Sequence, residues 1–167
     1  MDWSATLSMF FGCLLPSSIA AYTDWRRYEL PDYLTLPMLG WGLAYGVYMG
    51  FGKAAITGAA AGFMLGLVSA LLGQMGGGDI KFMAALGAWT GLYGLAVILI
   101  VASCLGVIWG VIRMARAGTL KYWIKKPWSR LPNDPAAPAP VNAVAFGTCL
   151  AVGLWCYILS SIAGVIR

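Results

Sequence analysis

Carboxylates are the side chains best placed to do chemistry in this 167-residue chain, which has six acidic residues, four cysteines and no histidine. The missing histidine excludes Ser-His and Cys-His nucleophilic pairs and His-ligated metals. Cys13, Cys104, Cys149 and Cys156 lie in apolar runs with no Cys-x-x-Cys spacing. They read as packing residues, and no metal or other cofactor is expected. Among the acids, Asp2 is terminal and Asp134 falls in a Pro-rich stretch where it is freely solvated. Glu29 can pair with Arg26 or Arg27, and Asp32, after Pro31, suits a helix cap. Asp24 and Asp79 remain, each where an apolar segment meets a polar loop.

Asp79 sits in Gly76-Gly77-Gly78-Asp79-Ile80-Lys81, between two long apolar runs. A charge there is costly and asks for a reason. The glycines can take backbone angles closed to other residues and admit a second chain close to the main chain. The bland alternative is that they end one membrane helix, Asp79 caps the next and Lys81 marks the headgroup boundary. For Asp24 the bland alternative is an interface charge partnered by Arg26 and Arg27. Two carboxylates brought together in a low-dielectric site cannot both ionise cheaply, so one keeps a proton while the other stays charged. The charged member can activate water and the protonated member can polarise a peptide carbonyl, the apparent pKa values belonging to the pair. Proton-coupled transport is the physical competitor, and a non-enzymatic assembly subunit would need neither acid. A transporter should carry polar groups toward the bilayer middle and on both sides, whereas these acids cluster at one face.

The rest of the chain must hold the two acids together. It is 60% hydrophobic and 10% charged, with mean hydropathy +0.78, where soluble domains carry about 25% charged residues. The apolar runs are long, unlike the alternating short strands of a closed barrel. The expected fold is an all-α polytopic membrane bundle of about six transmembrane helices with its amino terminus outside. The expected spans are 7–23, 33–51, 54–72, 80 to about 90, a fifth from a turn near Gly91 to Ile112, and 143–166, with Gly52-Lys53 as a tight turn. A signal peptide is disfavoured because only Asp2 precedes the first run and Arg26 and Arg27 follow it. Gly58, Ala59, Ala60, Ala61, Gly62 and Gly66 give the third span a surface for close helix approach. Residues 113–142 form a basic, then Pro-rich, cytoplasmic loop suited to anionic headgroups and not to nucleic acid. That orientation puts nine basic residues inside (Arg26, Arg27, Lys81 and six in the long loop) and only Lys53 and Arg167 outside. Residues 1–167 read as one integral membrane domain.

Gly76-Gly77-Gly78-Asp79-Ile80-Lys81 resembles the Gly-x-Gly-Asp-x-Lys signature of the type IV prepilin peptidases, a family of membrane aspartic proteases. Asp24-Trp25-Arg26-Arg27, leading to Leu30-Pro31-Asp32, resembles their other signature, an Asp near the first span ahead of basic residues and a Pro-Asn. The resemblance covers nearly the whole chain in order and spacing, including Pro138-Ala139-Pro140 before the last apolar segment. It implies Asp24 and Asp79 as the catalytic dyad, with Gly76 and Gly78 shaping the loop and admitting the substrate. Lys81 would tune Asp79 or anchor its helix at the headgroups. The implied substrate is the short basic leader of a prepilin or pilin-like protein, cut after a glycine at the cytoplasmic face of the bacterial inner membrane. Asp32 stands where the family usually has Asn. The larger members carry paired Cys-x-x-Cys motifs and also methylate the new amino terminus. Those motifs do not occur here, so the chain is similar to the small peptidase-only type of Flp (tight-adherence) pili. Presenilin-like proteases share Gly-x-Gly-Asp, but the surrounding loop is closer to the prepilin enzymes.

Overall fold

The computed structural model describes residues 7–27, 30–72, 75–116 and 145–162. Among the described residues the regular structure is all helical, as a chain that must satisfy its own N–H and C=O groups in hydrocarbon requires. Helix α1 is Leu15–Arg27, entered through a π-helical run Phe10–Leu14; α2 is Asp32–Tyr48, α3 Gly52–Leu71, α4 Gly77–Arg116 and α5 Phe146–Ile162. Both α3 and α4 are long and apolar enough to cross a membrane, and α5 is a shorter apolar helix. Large apolar side chains such as Leu71, Ile100 and Val107 stand exposed on the outside. A surface of that kind has the character of a membrane protein.

Helix α4 is not one rod. Gly91 has φ 66° and ψ −176°, outside the helical region and closed to most other residues. Asp79 shares a cavity with Asp24, yet the Trp109 ring meets the Trp25 ring edge-on at 4.8 Å. A continuous helix would separate residues 79 and 109 by about 45 Å. The two halves of α4 therefore fold back on each other at the turn expected near Gly91.

Glycines set how closely the other helices approach. Gly58, Gly62 and Gly66 are all buried and spaced by four, so they form one stripe on α3. A Cβ on Gly58 would run into the Gly87 carbonyl, one on Gly62 into the Met83 carbonyl and one on Gly66 into Ile80, so α3 lies backbone to backbone along the first half of α4. Ala60, on the same predicted surface, is exposed instead. The second half of α4 runs antiparallel to α5, with Gly106 near Phe146, Ile98 at Gly153 and Gly94 at Tyr157. Enclosed by these neighbours, every residue from Phe82 to Trp89 is buried, which makes this stretch the core of the bundle. The Trp89 ring fills the space left by Gly12 and Gly42, stacks on Tyr45 at 5.4 Å and donates its Nε1–H to the Met38 carbonyl at 3.0 Å.

Several expected boundaries move. Helix α1 runs through Arg27, so Asp24 lies in a helical turn and not in a loop. The second helix ends at Tyr48, and the turn falls at Gly50, with φ 83°, before the predicted Gly52-Lys53. Gly77 and Gly78 are already helical. The basic and Pro-rich loop falls outside the described residues beyond Arg116, as do Glu29, Asp2, Asp134 and both ends of the predicted last span.

Candidate active site

Asp24 lies just past the apolar run of α1 and is only 5% exposed. It is covered because α5 begins against it. The Thr148 N–H donates to Asp24 Oδ2 at 2.8 Å, and the Thr148 hydroxyl stands 3.2 Å from the same oxygen and 3.1 Å from the Ala21 carbonyl. The Gly147 amide also donates to this carboxyl. Gly147 has no room for a side chain, since a Cβ there would sit 3.0 Å from Asp24 Oδ2 and 2.8 Å from Leu30 Cδ1. Free amides at a helix start, with the positive end of the helix dipole, are natural partners of a carboxylate. Burial still pushes the Asp24 carboxyl above its ordinary range, with the Thr148 and Gly147 donors opposing the rise.

Asp79 occupies the third position of α4, ahead of the apolar run that starts at Ile80. Its carboxyl reaches back to accept the Gly76 N–H, the contact an acid at that position makes with the residue that opens a helix. The capping expected of Asp79 is thus present. Burial first, and the neighbouring Asp24 charge second, push this carboxyl up to about 6. The two acids, 55 positions apart in sequence, repel each other across one shared space.

That space is a cavity of about 540 Å³ lined by Asp24, Asp32, Asp79, Arg27, Tyr33 and the three glycines. Gly76 and Gly77 leave open room where a Cβ would stand. Gly78 does not, because a Cβ there would lie 2.8 Å from Leu30 Cβ and 3.0 Å from the Leu30 carbonyl. Leu30 is thereby wedged between Gly78, beside Asp79, and Gly147, beside Asp24. None of the three glycines takes a positive φ, so steric room and not unusual backbone angles is what they supply.

Asp32 does not cap α2. The residue before the helix is Pro31, which makes no side-chain cap, and the Asp32 Oδ2 instead meets Lys81 Nζ at 2.6 Å. Lys81 therefore has Asp32 as its acidic partner. Arg26 lies over the Tyr22 ring at 5.5 Å, while Arg27 lines the cavity. Among the described residues no group of three or more His, Cys, Asp or Glu side chains is arranged to hold a metal ion. Thr148 and Gly147 were not singled out from sequence, and Leu30 only as part of the second signature. Thr148 is 124 positions from Asp24, and its one local signal is a hydroxyl at the start of an apolar run.

Residues 8–111 match the type IV leader peptidase family. The prepilin leader peptidase/N-methyltransferase of Xanthomonas campestris pv. campestris is 33% identical over 163 residues, covering 92% of this chain and 49% of that protein. The protein of that name from Aeromonas salmonicida is 40% identical over 100 residues, covering 54% and 34%. The one from Escherichia coli K12 is 32% identical over 139 residues, covering 77% and 60%. The chain spans about half the length of the Xanthomonas relative and about a third of the Aeromonas one. No solved structure matches the chain. A match over residues 8–111, across both aspartates and the bundle that joins them, shows that this chain belongs to the type IV leader peptidase family.

Proposed function

We propose that this chain is an aspartic endopeptidase of the bacterial inner membrane that removes the leader peptides of type IV prepilins or pilin-like proteins, cutting after a glycine at the cytoplasmic face. One observation carries the reading: Asp24 and Asp79 open into the same cavity. The ionised carboxylate takes a proton from water as the water oxygen bonds to the scissile carbonyl carbon. The protonated carboxyl hydrogen-bonds the carbonyl oxygen, and on collapse of the adduct the C–N bond breaks and the amine leaves with a proton. The bare wall at Gly76 and Gly77 gives an extended substrate backbone room beside Asp79. The Lys81–Asp32 pair shapes the rim by tying the start of α2 to the start of α4.

The topology proposed with it is six crossings, with the amino terminus outside, in a single membrane domain. Support comes from the fold-back at Gly91 and from the charges. Arg26, Arg27, Lys81, Arg113 and Arg116 belong to the helix ends on the aspartate side, and Lys53 to the opposite side. The relatives' printed names join peptidase and methyltransferase activities; the paired acids account for the first. Assignment to the small Flp-pilus type rests on the sequence reading alone. The test is co-expression with candidate pilins and mass measurement of their amino termini. Asp24→Asn and Asp79→Asn should each abolish leader removal while the protein stays folded and inserted. Full processing by either variant, in cells without a second peptidase, refutes the catalytic assignment.

A further inference from the structure

We propose that the start of α5, acting through Thr148, fixes the division of labour in the aspartate pair: it holds Asp24 as the ionised, water-activating member and leaves Asp79 as the member that bears the proton. The inference rests on the aspartic-peptidase reading above and adds a positioning residue to it.

The donors are unequally shared. Asp24 faces the Thr148 amide, the Thr148 hydroxyl and the Gly147 amide, whereas Asp79 has the Gly76 amide. Hydrogen bonds from N–H and O–H groups favour the charged form of a carboxyl, and the start of a helix adds its dipole in the same sense. Among the described residues, the other titratable or charged groups around Asp24 are Arg27 on its own helix, Asp32 and Tyr33 on α2, Asp79 on α4 and Cys149 on α5. Arg27 lines the same cavity. Asp32 is paired with Lys81, so Asp79 is the remaining acid of the cavity, and two carboxylates in one low-dielectric space relieve their repulsion by protonating one member. The Asp24 charge is one of the causes that hold the Asp79 carboxyl up.

Thr148 is suited to both protonation states. Its hydroxyl has a single hydrogen and two acceptors in reach, Asp24 Oδ2 at 3.2 Å and the Ala21 carbonyl at 3.1 Å. While Asp24 is ionised, the hydrogen turns to the carboxylate. Once Asp24 has taken the water proton, the carboxyl donates to the Thr148 oxygen and the hydroxyl turns to Ala21. Asp24 thus keeps its orientation as the proton moves.

The test titrates the acids directly, in the full-length protein reconstituted in liposomes. A hydrophobic carbodiimide reacts with protonated carboxyls, and mass spectrometry of the Asp24 peptide across a pH series gives a half-labelling pH without any need for activity. In an Asp79→Asn background, Thr148→Val, which keeps the backbone amide and the volume, should raise the half-labelling pH of Asp24 by about one unit. Thr148→Ser should leave it within about 0.3 unit of the parent, because it restores the hydroxyl. With both aspartates present, Thr148→Val should shift the acid limb of the kcat/KM profile upward in the same way. An unmoved half-labelling pH in Thr148→Val overturns the proposal. So does labelling of Asp79, in an Asp24→Asn background, at a lower pH than Asp24. Failure of the peptidase reading would show separately, as leader cleavage by Asp24→Asn or Asp79→Asn.

Discussion

Replacing Asp79 by asparagine should stabilise the protein at pH 8 and leave it nearly unchanged at pH 4. The carboxyl is raised from 3.8 to about 6 in the folded chain, chiefly by burial. A folded carboxyl that binds its proton more tightly than the unfolded one contributes stability that is complete below 3.8 and is lost as pH rises through about 6. Above that range the native protein holds an ionised carboxylate in poor surroundings, and asparagine removes the burden. About two pH units at about 1.4 kcal/mol each set a ceiling near ~3 kcal/mol. Asp79 lines an open cavity, so solvent screening reduces this to about 1–2 kcal/mol. For a chain of this size that is roughly 3–6 °C in Tm. Thermal unfolding in one detergent, followed through the eight tryptophans, can be run at unit steps from pH 4 to pH 8. The advantage of the variant should open between pH 4 and pH 6 and then stay flat. In an Asp24→Asn background it should shrink, because the second cause of the shift has gone. An advantage equal at both ends of the range would refute the reasoning, since it would come from packing and not from the proton.

Other substitutions probe the frame around the pair. Lys81→Met and Asp32→Asn should each change stability by less than about 1 kcal/mol, because the ion pair is exposed, at 36% and 58%; a loss of several kcal/mol by chemical denaturation would mean that the pair holds the bundle together. Gly62→Ala should destabilise by about 1–3 kcal/mol, since its methyl meets the Met83 carbonyl. Gly40→Ala, with open space around it on α2, should be neutral or raise stability by up to about 1 kcal/mol. Tm shifts of the same sign for these two glycines would contradict the packing described here.

What could be read from the sequence follows from range. Asp24 and Asp79 stood out by elimination, because few polar groups sit in an apolar chain, and the structure brings both to one cavity. The small-residue stripe of α3 was legible as a local pattern, and the break near Gly91 from the length of the run around it. The Lys81–Asp32 pair and the Thr148–Asp24 bond join residues 49 and 124 positions apart, and no local pattern announces either. Gly50 and Gly52 offered two sites for one turn, and only packing decides which takes the left-handed angle. The glycines before Asp79 were marked for unusual backbone angles and for close approach of a second chain, and only the steric room is used. What Gly78 requires is room for Leu30, a residue from a different loop.

In the proposed six-crossing topology, the left-handed backbone at Gly91 also sets where the chain reverses. Residues 77–116 emerge from the ribosome as forty consecutive positions with no charged residue between Lys81 and Arg113. The uncharged stretch, 82–112, is 31 residues, about one and a half times what one crossing needs, so no charged residue marks where the chain reverses. A hairpin written by one glycine places both arms at once. A side chain at that position would strain the left-handed backbone, and in the proposed six-crossing topology a straight α4 would put its basic end on the far side of the membrane and carry α5, with its hold on Asp24, away from the other aspartate.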